Sequence, residues 1–295
     1  MKPSSVVGFV GAGRVGTALA GQMARLGYEI AGFADRRADR ARAACQAVGI
    51  RQRRLTPVRL AERANLVFLT VPDREISPVF ALIRSRLRPG VLVAHCSGFF
   101  GVEVCPDAGR AGLETLAFHP AVAFPGTGPG ASGLAVSWPA GSFLFSVDGS
   151  PAGIRFGRRL AKQLGGEALV IRGPDRPLYH AMCVFASNFQ HALRESAERI
   201  ARELGVRECC RARLLDPLMA VTIENMTALG AGPGLTGPVR RGDAATVAGH
   251  LVALRRRLPE LVPGYIELTR RLVELAGQQG TGRAQLQEIA RLLDE

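Results

Sequence analysis

The sequence predicts an α/β fold, in which an N-terminal, mostly parallel and doubly wound Rossmann-like sheet precedes an all-helical C-terminal domain. Three observations support this prediction. Short β-rich runs alternate with helical patterns as far as residue 171, and strand-like patterns stop at Gly173, where long amphipathic segments begin. A glycine-rich turn joins the first strand to the first helix. We therefore expect a dinucleotide-binding domain over residues 1–172 and a helical substrate or dimerisation domain over residues 173–295.

The individual elements follow from hydrophobic periodicity and from the glycines and prolines that interrupt it. After a first strand that ends at Val10 and a helix that ends at Leu26, strands are predicted over 28–34, 66–71, 91–95, 115–118, 142–147 and 168–171. Helices are predicted over 40–48, up to about 86 and over 154–164, with a loop over 125–141. The second domain is predicted to contain helices over 175–204, 208–229, 243–257, 260–277 and 283–293.

The turn after the first strand has the composition of a pyrophosphate site. Gly11 permits a tight turn, Gly13 lets the backbone approach a phosphate, and Gly16 lets the helix lie close to the strand. The N–H groups of the helix start attract the anion. The segment supplies Arg14 and Val15 to the same site, and the end of the third strand supplies Val71 and Pro72.

An acidic residue follows the second strand, 22 residues after Gly13, where the adenosine ribose is expected. This carboxylate, Asp35, suits a free ribose diol, whereas Arg36 or Arg37 suits a 2′-phosphate. The sequence thus predicts NADP as cofactor with NAD as the alternative, and the two arginines also fit a solvated helix start.

Composition narrows the class of protein. The formal net charge is +13, but the 36 arginines are scattered in twos and threes with few aromatic residues between them, which argues against nucleic-acid binding. The six cysteines form no C-x-x-C pair, so we expect free thiols and no metal site. With no signal peptide and no apolar run of membrane-spanning length, we expect a cytoplasmic protein that does not bind a membrane.

Polar side chains that follow predicted strands are candidates for chemistry, because ligands bind beyond the carboxyl ends of parallel strands. Ser97 closes the strand that begins at Val91, and His119 closes the strand near Thr115. A hydroxyl and an imidazole that converge there can orient a substrate oxygen and exchange its proton. The alternative is that a histidine before proline only caps its strand.

The helix predicted over 175–204 carries four polar residues at helical spacing, namely His180, Ser187, Asn188 and His191. This stripe predicts either a cleft or a polar face toward solvent or a partner subunit. The helix contains no lysine, so we expect any general acid to be a histidine or a carboxylate.

The segment from Thr236 to Asp243 is a third candidate. Arg240 and Arg241 suit a substrate carboxylate, and Asp243 is a natural N-cap for the next helix. For Asp243 the capping role is favoured over a catalytic role, although the residue can serve in both.

Six motifs that span nearly the whole chain resemble one family of two-domain proteins: GAGRVG, TVPD, HCSG, LAFHP, YHAMCVFASN and LTGPVRRGD. In that family a Rossmann-like half precedes an uncharacterised helical half of the kind seen in 6-phosphogluconate dehydrogenases. The family is similar to ketopantoate reductases, pyrroline-5-carboxylate reductases and the 6-phosphogluconate dehydrogenase superfamily. The resemblance implies an NADP-dependent oxidoreductase and a homodimer. Arg176 departs from it, because a lysine often precedes the Tyr-His pair there.

The spacing of Ser97 and His119 is also similar to that of prephenate dehydrogenases, which implies that both lie beside the nicotinamide. We therefore expect NADPH-dependent reduction of a small 2-oxo acid, in the manner of ketopantoate reductases. His119 is the expected proton donor, with Ser97 and Asn188 orienting the carbonyl and His180 nearby. The alternatives are a non-catalytic, dinucleotide-responsive regulatory protein and oxidation of a hydroxyl in the manner of prephenate dehydrogenases.

Overall fold

The computed structural model describes residues 5–51, 55–124 and 143–295, so the loop predicted over 125–141 lies outside the described residues. The chain divides into two compact units, Met1–Ser187 and Asn188–Glu295. The predicted domain boundary after residue 172 falls inside the first unit.

The first unit is built on a seven-stranded sheet with the strand order β2-β1-β3-β4-β5-β6-β7. Neighbouring strands are parallel except for β5 and β6, which are antiparallel, so the prediction of a mostly parallel sheet is confirmed. The strands are β1 Val6–Val10, β2 Glu29–Ala34, β3 Leu66–Leu69, β4 Leu92–His95, β5 Glu114–Pro120, β6 Leu144–Gly149 and β7 Glu167–Val170.

Helices connect these strands as the alternating pattern predicts. They are α1 Arg14–Arg25, α2 Ala38–Val48, α3 Pro57–Arg63, α4 Asp73–Ile83, α5 Pro151–Gln163 and α6 Arg176–Cys183. The sequence analysis missed α3, whose seven residues are too few for a helical period to be recognised. Its start nevertheless has the usual chemistry, since the Thr56 side chain accepts a hydrogen bond from the Arg59 N–H and Pro57 follows at the first helical position.

Apolar side chains cover both faces of the sheet. On one face the rings of Phe9 and Phe68 stack with centroids 5.3 Å apart, and Phe118 and Phe145 stack at 4.6 Å. The other face packs against Phe80 of α4 and its buried neighbours. Each fully buried side chain of this size stabilises the fold by about 1.5–3 kcal/mol. The carboxyl ends of β1 to β5 therefore lie at an edge of a sheet that is packed on both faces.

The second unit is helical, as predicted. It contains α7 Phe189–Glu203, α8 Glu208–Leu229, α9 Pro238–Arg241, α10 Ala244–Arg257, α11 Val262–Gln278 and α12 Arg283–Asp294. Its core is formed by α9 to α12 and centres on Val247, Leu251 and Ile289. No helix in the described ranges has the length and apolar character needed to cross a bilayer.

The helix predicted over 175–204 is not a regular α-helix. A π-helical segment, Val184–Asn188, separates α6 from α7. A π turn holds more residues than an α turn, so an α-helical period does not continue through it. The single stripe predicted for His180, Ser187, Asn188 and His191 is therefore wrong, because it assumed an uninterrupted period.

Candidate active site

A cavity of about 580 Å³ lies at the carboxyl edge of β1, β2 and β3. It is lined by every predicted cofactor residue except Gly16: Gly11, Gly13, Arg14, Val15, Asp35, Arg36, Arg37, Val71 and Pro72. The residues that the sequence pattern assigned to the cofactor site, other than Gly16, therefore line one cavity in the fold. This is the position at which the order of an open parallel sheet reverses, where ligands of such sheets bind.

The three glycines of the turn differ in what they are needed for. Gly11 has φ +104°, and a Cβ atom there would lie 2.5 Å from the Thr70 carbonyl oxygen. A Cβ on Gly16 would collide with the Thr70 hydroxyl, which donates a 2.7 Å hydrogen bond to the Gly11 carbonyl. On Gly13 a Cβ would meet no protein atom closer than 3.9 Å.

The fold itself therefore requires Gly11 and Gly16 but not Gly13. A glycine at position 13, at the N-cap of α1, keeps free a space that the described residues do not fill. The bare backbone at the start of a helix is what a pyrophosphate group needs for close approach. The turn fits a dinucleotide on this ground.

Asp35 is bound to the turn through its carboxylate. Its Oδ2 accepts a 2.8 Å hydrogen bond from the Ala12 N–H, and its Oδ1 accepts one of 2.8 Å from the Arg37 N–H. The Arg37 guanidinium is paired with Asp39 at 2.6 Å. The Arg36 side chain is exposed, and its nearest carboxylate, that of Glu75, is 3.9 Å away. Arg36 is thus the more available of the two arginines predicted to meet the cofactor.

A second group of polar side chains lies at the carboxyl ends of β4 and β5. The Ser97 hydroxyl is buried and donates a 2.9 Å hydrogen bond to Asp73, the first residue of α4. The same oxygen accepts hydrogen bonds from the Phe99 and Phe100 N–H groups at 3.1 and 3.0 Å. Because its single proton is already used, Ser97 shapes the loop after β4, and a direct contact with substrate stays a prediction.

His119 faces this loop. Its Nδ1 shares a 2.8 Å hydrogen bond with the Tyr179 hydroxyl of α6, and the two rings are nearly perpendicular. A Cβ on Gly98 would lie 3.0 Å from His119 Nε2 and 2.7 Å from His180 Cδ2. The absence of a side chain at Gly98 therefore lets both imidazoles approach the loop. The structure brings together His119, His180 and the Ser97 loop, as predicted.

Electrostatics keep His119 uncharged at neutral pH. Burial lowers its pKa from 6.5 to about 4, and the charges of Arg176 and His180 act in the same direction. His95, at the end of β4, is fully buried and bonds through Nε2 to the Gly101 carbonyl at 2.8 Å. Burial also lowers the pKa of His95 to about 4. His95 is a structural residue, whereas His119 is only half-buried.

Arg176 is completely buried, which is rare for an arginine. One Nη2–H donates a 2.5 Å hydrogen bond to the Ser97 carbonyl, so α6 is tied to the loop after β4. The sequence analysis did not predict Arg176, Tyr179 or Asp73 as site residues. The departure from lysine at Arg176 and the Tyr-His pair were the available signs, but neither reveals a contact partner.

The remaining predicted residues belong to the second unit. Asp243 is the N-cap of α10, as predicted, since it accepts a 3.0 Å hydrogen bond from the Thr246 N–H and one of 2.6 Å from the Thr246 hydroxyl. Arg240 donates a 3.0 Å hydrogen bond to the Thr281 hydroxyl, while Arg241 is exposed. Asn188 is also exposed. Roles for these residues toward a substrate stay predictions.

Comparison with known proteins agrees with this architecture. A model described as a Rossmann-like domain matches residues 1–120, and one described as a domain of unknown function (DUF2520) matches residues 143–272. The chain is therefore a two-domain protein with a Rossmann-like N-terminal part and a DUF2520 C-terminal part. This confirms the resemblance that the motifs indicated. No curated protein matches the chain.

Solved structures share the fold over nearly the whole chain. A proposed NADP oxidoreductase from Bacteroides fragilis has a TM-score of 0.75 at 20% identity, covering 92% of this chain and 98% of its own. Protein TM1727 from Thermotoga maritima has a TM-score of 0.65 at 26% identity, with 92% and 99% covered. A pyrroline-5-carboxylate reductase from Coxiella burnetii has a TM-score of 0.55 at 14% identity, with 98% of both chains covered. These similarities confirm the predicted fold class.

Proposed function

We propose that this protein is an NAD(P)-dependent oxidoreductase that uses NADPH to reduce a small 2-oxo acid, in the manner of ketopantoate reductases. The observation that carries the proposal is the unused space at Gly13, at the carboxyl edge that also carries His119. The names of the fold relatives, which include an NADP oxidoreductase and a pyrroline-5-carboxylate reductase, support the same class of reaction.

The choice of NADPH over NADH rests on the residues after β2. Both Asp35 oxygens accept backbone hydrogen bonds, so the turn itself uses part of the acceptor capacity of this carboxylate. Arg36, Arg37 and Arg40 line the same cavity and supply positive charge for a 2′-phosphate. A charge-assisted hydrogen bond from Arg36 would contribute about 1.5–3 kcal/mol.

The reduced nicotinamide supplies the hydride when it is bound. His119 presents Nε2 toward the Gly98 loop, where a substrate carbonyl oxygen would receive a hydrogen bond and then a proton. Ser97 and Asp73 hold that loop in place, and His180 approaches Gly98 beside His119. Asn188 is proposed to orient the substrate carbonyl, and Arg240 or Arg241 to bind the substrate carboxylate.

A homodimer is part of the proposal. Helix α8 exposes Leu214, Leu218 and Val221 by 55%, 65% and 53% of their surfaces. Such an apolar helix face is typical of a surface that a second subunit covers. All six cysteines are free thiols, which supports a reducing, cytoplasmic location.

The neutral state of His119 favours a second candidate, oxidation of a hydroxyl group in the manner of prephenate dehydrogenases. A neutral imidazole accepts a proton as readily as it donates a hydrogen bond, so the same geometry serves the reverse direction. The regulatory alternative, binding without turnover, has no feature of the site in its favour.

The test is to mix the purified chain with NADPH and a panel of 2-oxo acids that includes ketopantoate, and to follow absorbance of the reduced nicotinamide. Oxidation of NADPH that depends on one acid is the expected result. Turnover only of NADP⁺ with hydroxy acids would favour hydroxyl oxidation, and binding without turnover in either direction would contradict the enzymatic proposal.

A further inference from the structure

Two buried side chains beside His119 and Tyr179 have hydrogen-bond donors that the described protein does not use. Arg176 is 0% exposed, and its Nε and Nη1 atoms have no hydrogen-bond partner within residues 5–51, 55–124 and 143–295. The hydroxyl of Ser146, which is 1% exposed, makes no hydrogen bond of normal geometry in those ranges, and the polar group that it approaches is the Tyr179 hydroxyl. Buried polar groups are nearly always paired, so two unpaired ones at one place call for an explanation.

Both side chains flank the same phenol. Arg176 and Tyr179 are three residues apart on α6, a spacing that places them on one face of the helix. Ser146 lies directly opposite His119 in the antiparallel register of β5 and β6, and His119 contacts the Tyr179 hydroxyl. His119, the Ser146 hydroxyl and the Arg176 charge thus all act on Tyr179.

Burial and the neighbouring polar groups act in opposite directions on the ionisation of Tyr179. Burial raises the pKa of Tyr179 to about 12, and Cys183 also raises it, whereas the Ser146 hydroxyl and the Arg176 charge lower it. Asp148 of β6, Asp73 of α4 and Glu103 act on the Arg176 charge, but none of them pairs with it among the described residues. Asp148 is instead paired with Arg172 at 3.3 Å. Arg176 therefore has no ion-pair partner among the described residues, and its positive charge acts on both Tyr179 and His119.

We propose that Tyr179 is the proton source behind His119, and that Arg176 and Ser146 stabilise the tyrosinate that forms when this proton is transferred. This inference rests on the proposed function, since it supplies the proton for carbonyl reduction. It explains how a histidine that is neutral at physiological pH can act in a step that ordinarily uses an imidazolium ion.

The transfer balances as follows. The Nε2–H bond of His119 breaks as the O–H bond of the product alcohol forms, and the Oη–H bond of Tyr179 breaks as an Nδ1–H bond forms on His119. The imidazole is neutral before and after, and Tyr179 carries the negative charge. Water returns the proton to this His-Tyr pair after the product leaves. The hydride comes from the reduced nicotinamide of the proposed function.

The first test reads the His119 tautomer by ¹⁵N NMR in the protein without ligand, so it does not depend on turnover. We expect the proton on Nε2, with Tyr179 donating to Nδ1, and we expect Tyr179→Phe to abolish this preference. The matched control is Tyr265→Phe, which removes an equivalent 2.8 Å contact to His250 in the second unit and should leave His119 unchanged. A proton on Nδ1 of His119 in the unmodified protein would overturn the proposal.

The second test uses the pH dependence of NADPH oxidation. Tyr179→Phe should lower kcat by about tenfold or more near pH 8, and by less in acid, where an imidazolium can donate instead. Ser146→Ala should lower kcat by about tenfold with an unchanged Kd for NADPH, because one hydrogen bond to an anion is lost. Arg176→Met should raise the His119 pKa, while Arg176→Lys should keep it low.

These outcomes separate the inference from the proposed function. If NADPH is never oxidised but the Nε2–H tautomer depends on Tyr179, the proposed function fails while the hydrogen-bond arrangement stands. If NADPH is oxidised but Tyr179→Phe changes neither the tautomer nor the pH profile, the proton source is not Tyr179. Melting curves for each variant show whether a lost activity reflects lost folding.

Discussion

The molecule contains two histidine-tyrosine pairs of nearly identical local geometry and very different surroundings. In both, imidazole Nδ1 lies 2.8 Å from the phenol oxygen, and the rings are almost perpendicular, with centroids 5.6 Å apart for His119 and Tyr179 and 5.9 Å for His250 and Tyr265. The first pair lies beside the loop after β4, within reach of a buried arginine. The second lies on the surface between α10 and α11, with His250 exposed.

A histidine-tyrosine contact does not by itself make a functional site. Burial beside Arg176 lowers the pKa of His119 to about 4 and raises that of Tyr179 to about 12, so both groups are held neutral next to donors that have no other partner in the described part of the chain. Around His250 the chain offers no comparable buried charge among the described residues. Surroundings, rather than the pair, determine which histidine can take part in chemistry.

The largest expected difference between the pairs is in turnover. His119→Ala should lower the rate of NADPH oxidation by about 100-fold or more, because it removes the group that delivers the proton. His250→Ala, at the matched surface pair, should leave the rate within about twofold. The rates are measured by steady-state kinetics on both variants. Equal losses of rate for the two variants would show that the two pairs do not differ in their role in turnover.

Each pair also has a neighbouring glycine, and the two glycines should respond oppositely to alanine. A Cβ on Gly98 would press on the rings of His119 and His180, so Gly98→Ala should destabilise the protein by about 1 kcal/mol and reduce turnover. Gly249 precedes His250 inside α10, and a Cβ there would meet no atom within 4 Å. Gly249→Ala should stabilise by about 0.5–1 kcal/mol through helix propensity.

Denaturant unfolding of these two variants checks the signs. A stable and fully active Gly98→Ala protein would show that the two imidazoles do not depend on close approach to the loop. A destabilised Gly249→Ala protein would show that the backbone beside the surface pair is under a constraint that the Cβ contacts do not reveal.

Acid should weaken the fold through the buried histidines. His119 and His95 have pKa values near 4 in the folded protein and near 6.5 when unfolded, so between these values the unfolded chain binds more protons. The free energy of unfolding should therefore fall as pH is lowered from about 6.5 to about 4, by up to about 1.4 kcal/mol per group and pH unit. His119→Gln should remove one share of this dependence, and a slope identical to that of the unmodified protein would contradict the assigned pKa.

Most of the fold was predictable because local patterns determine it. Apolar runs located the strands, and the glycine spacing located the turn whose residues line the cavity. The short helix α3 escaped because it holds too few residues for a period, and the π segment escaped because side-chain patterns do not report an extra residue in a turn.

The site was predictable only in part, because its contacts join distant positions. His119 and Tyr179 are 60 residues apart, and Arg176 and Ser97 are 79 apart. The sequence indicated that Ser97 and His119 lie at the same edge of the sheet, from the topology of parallel strands. The sequence does not indicate which group accepts the hydrogen bond of the Ser97 hydroxyl or which charged side chain acts on His119, because both depend on tertiary packing.

The central claim, that a nicotinamide dinucleotide binds at the turn after β1, is tested most directly by titrating NADPH into the unmodified protein and into Gly13→Ala. Among the described residues a Cβ at this position approaches no atom closer than 3.9 Å, so the variant should melt at the same temperature. Its affinity for NADPH should fall by about tenfold or more, because the methyl group occupies the space for the pyrophosphate. Absence of NADPH binding by the unmodified protein, or equal binding by both, would contradict the claim.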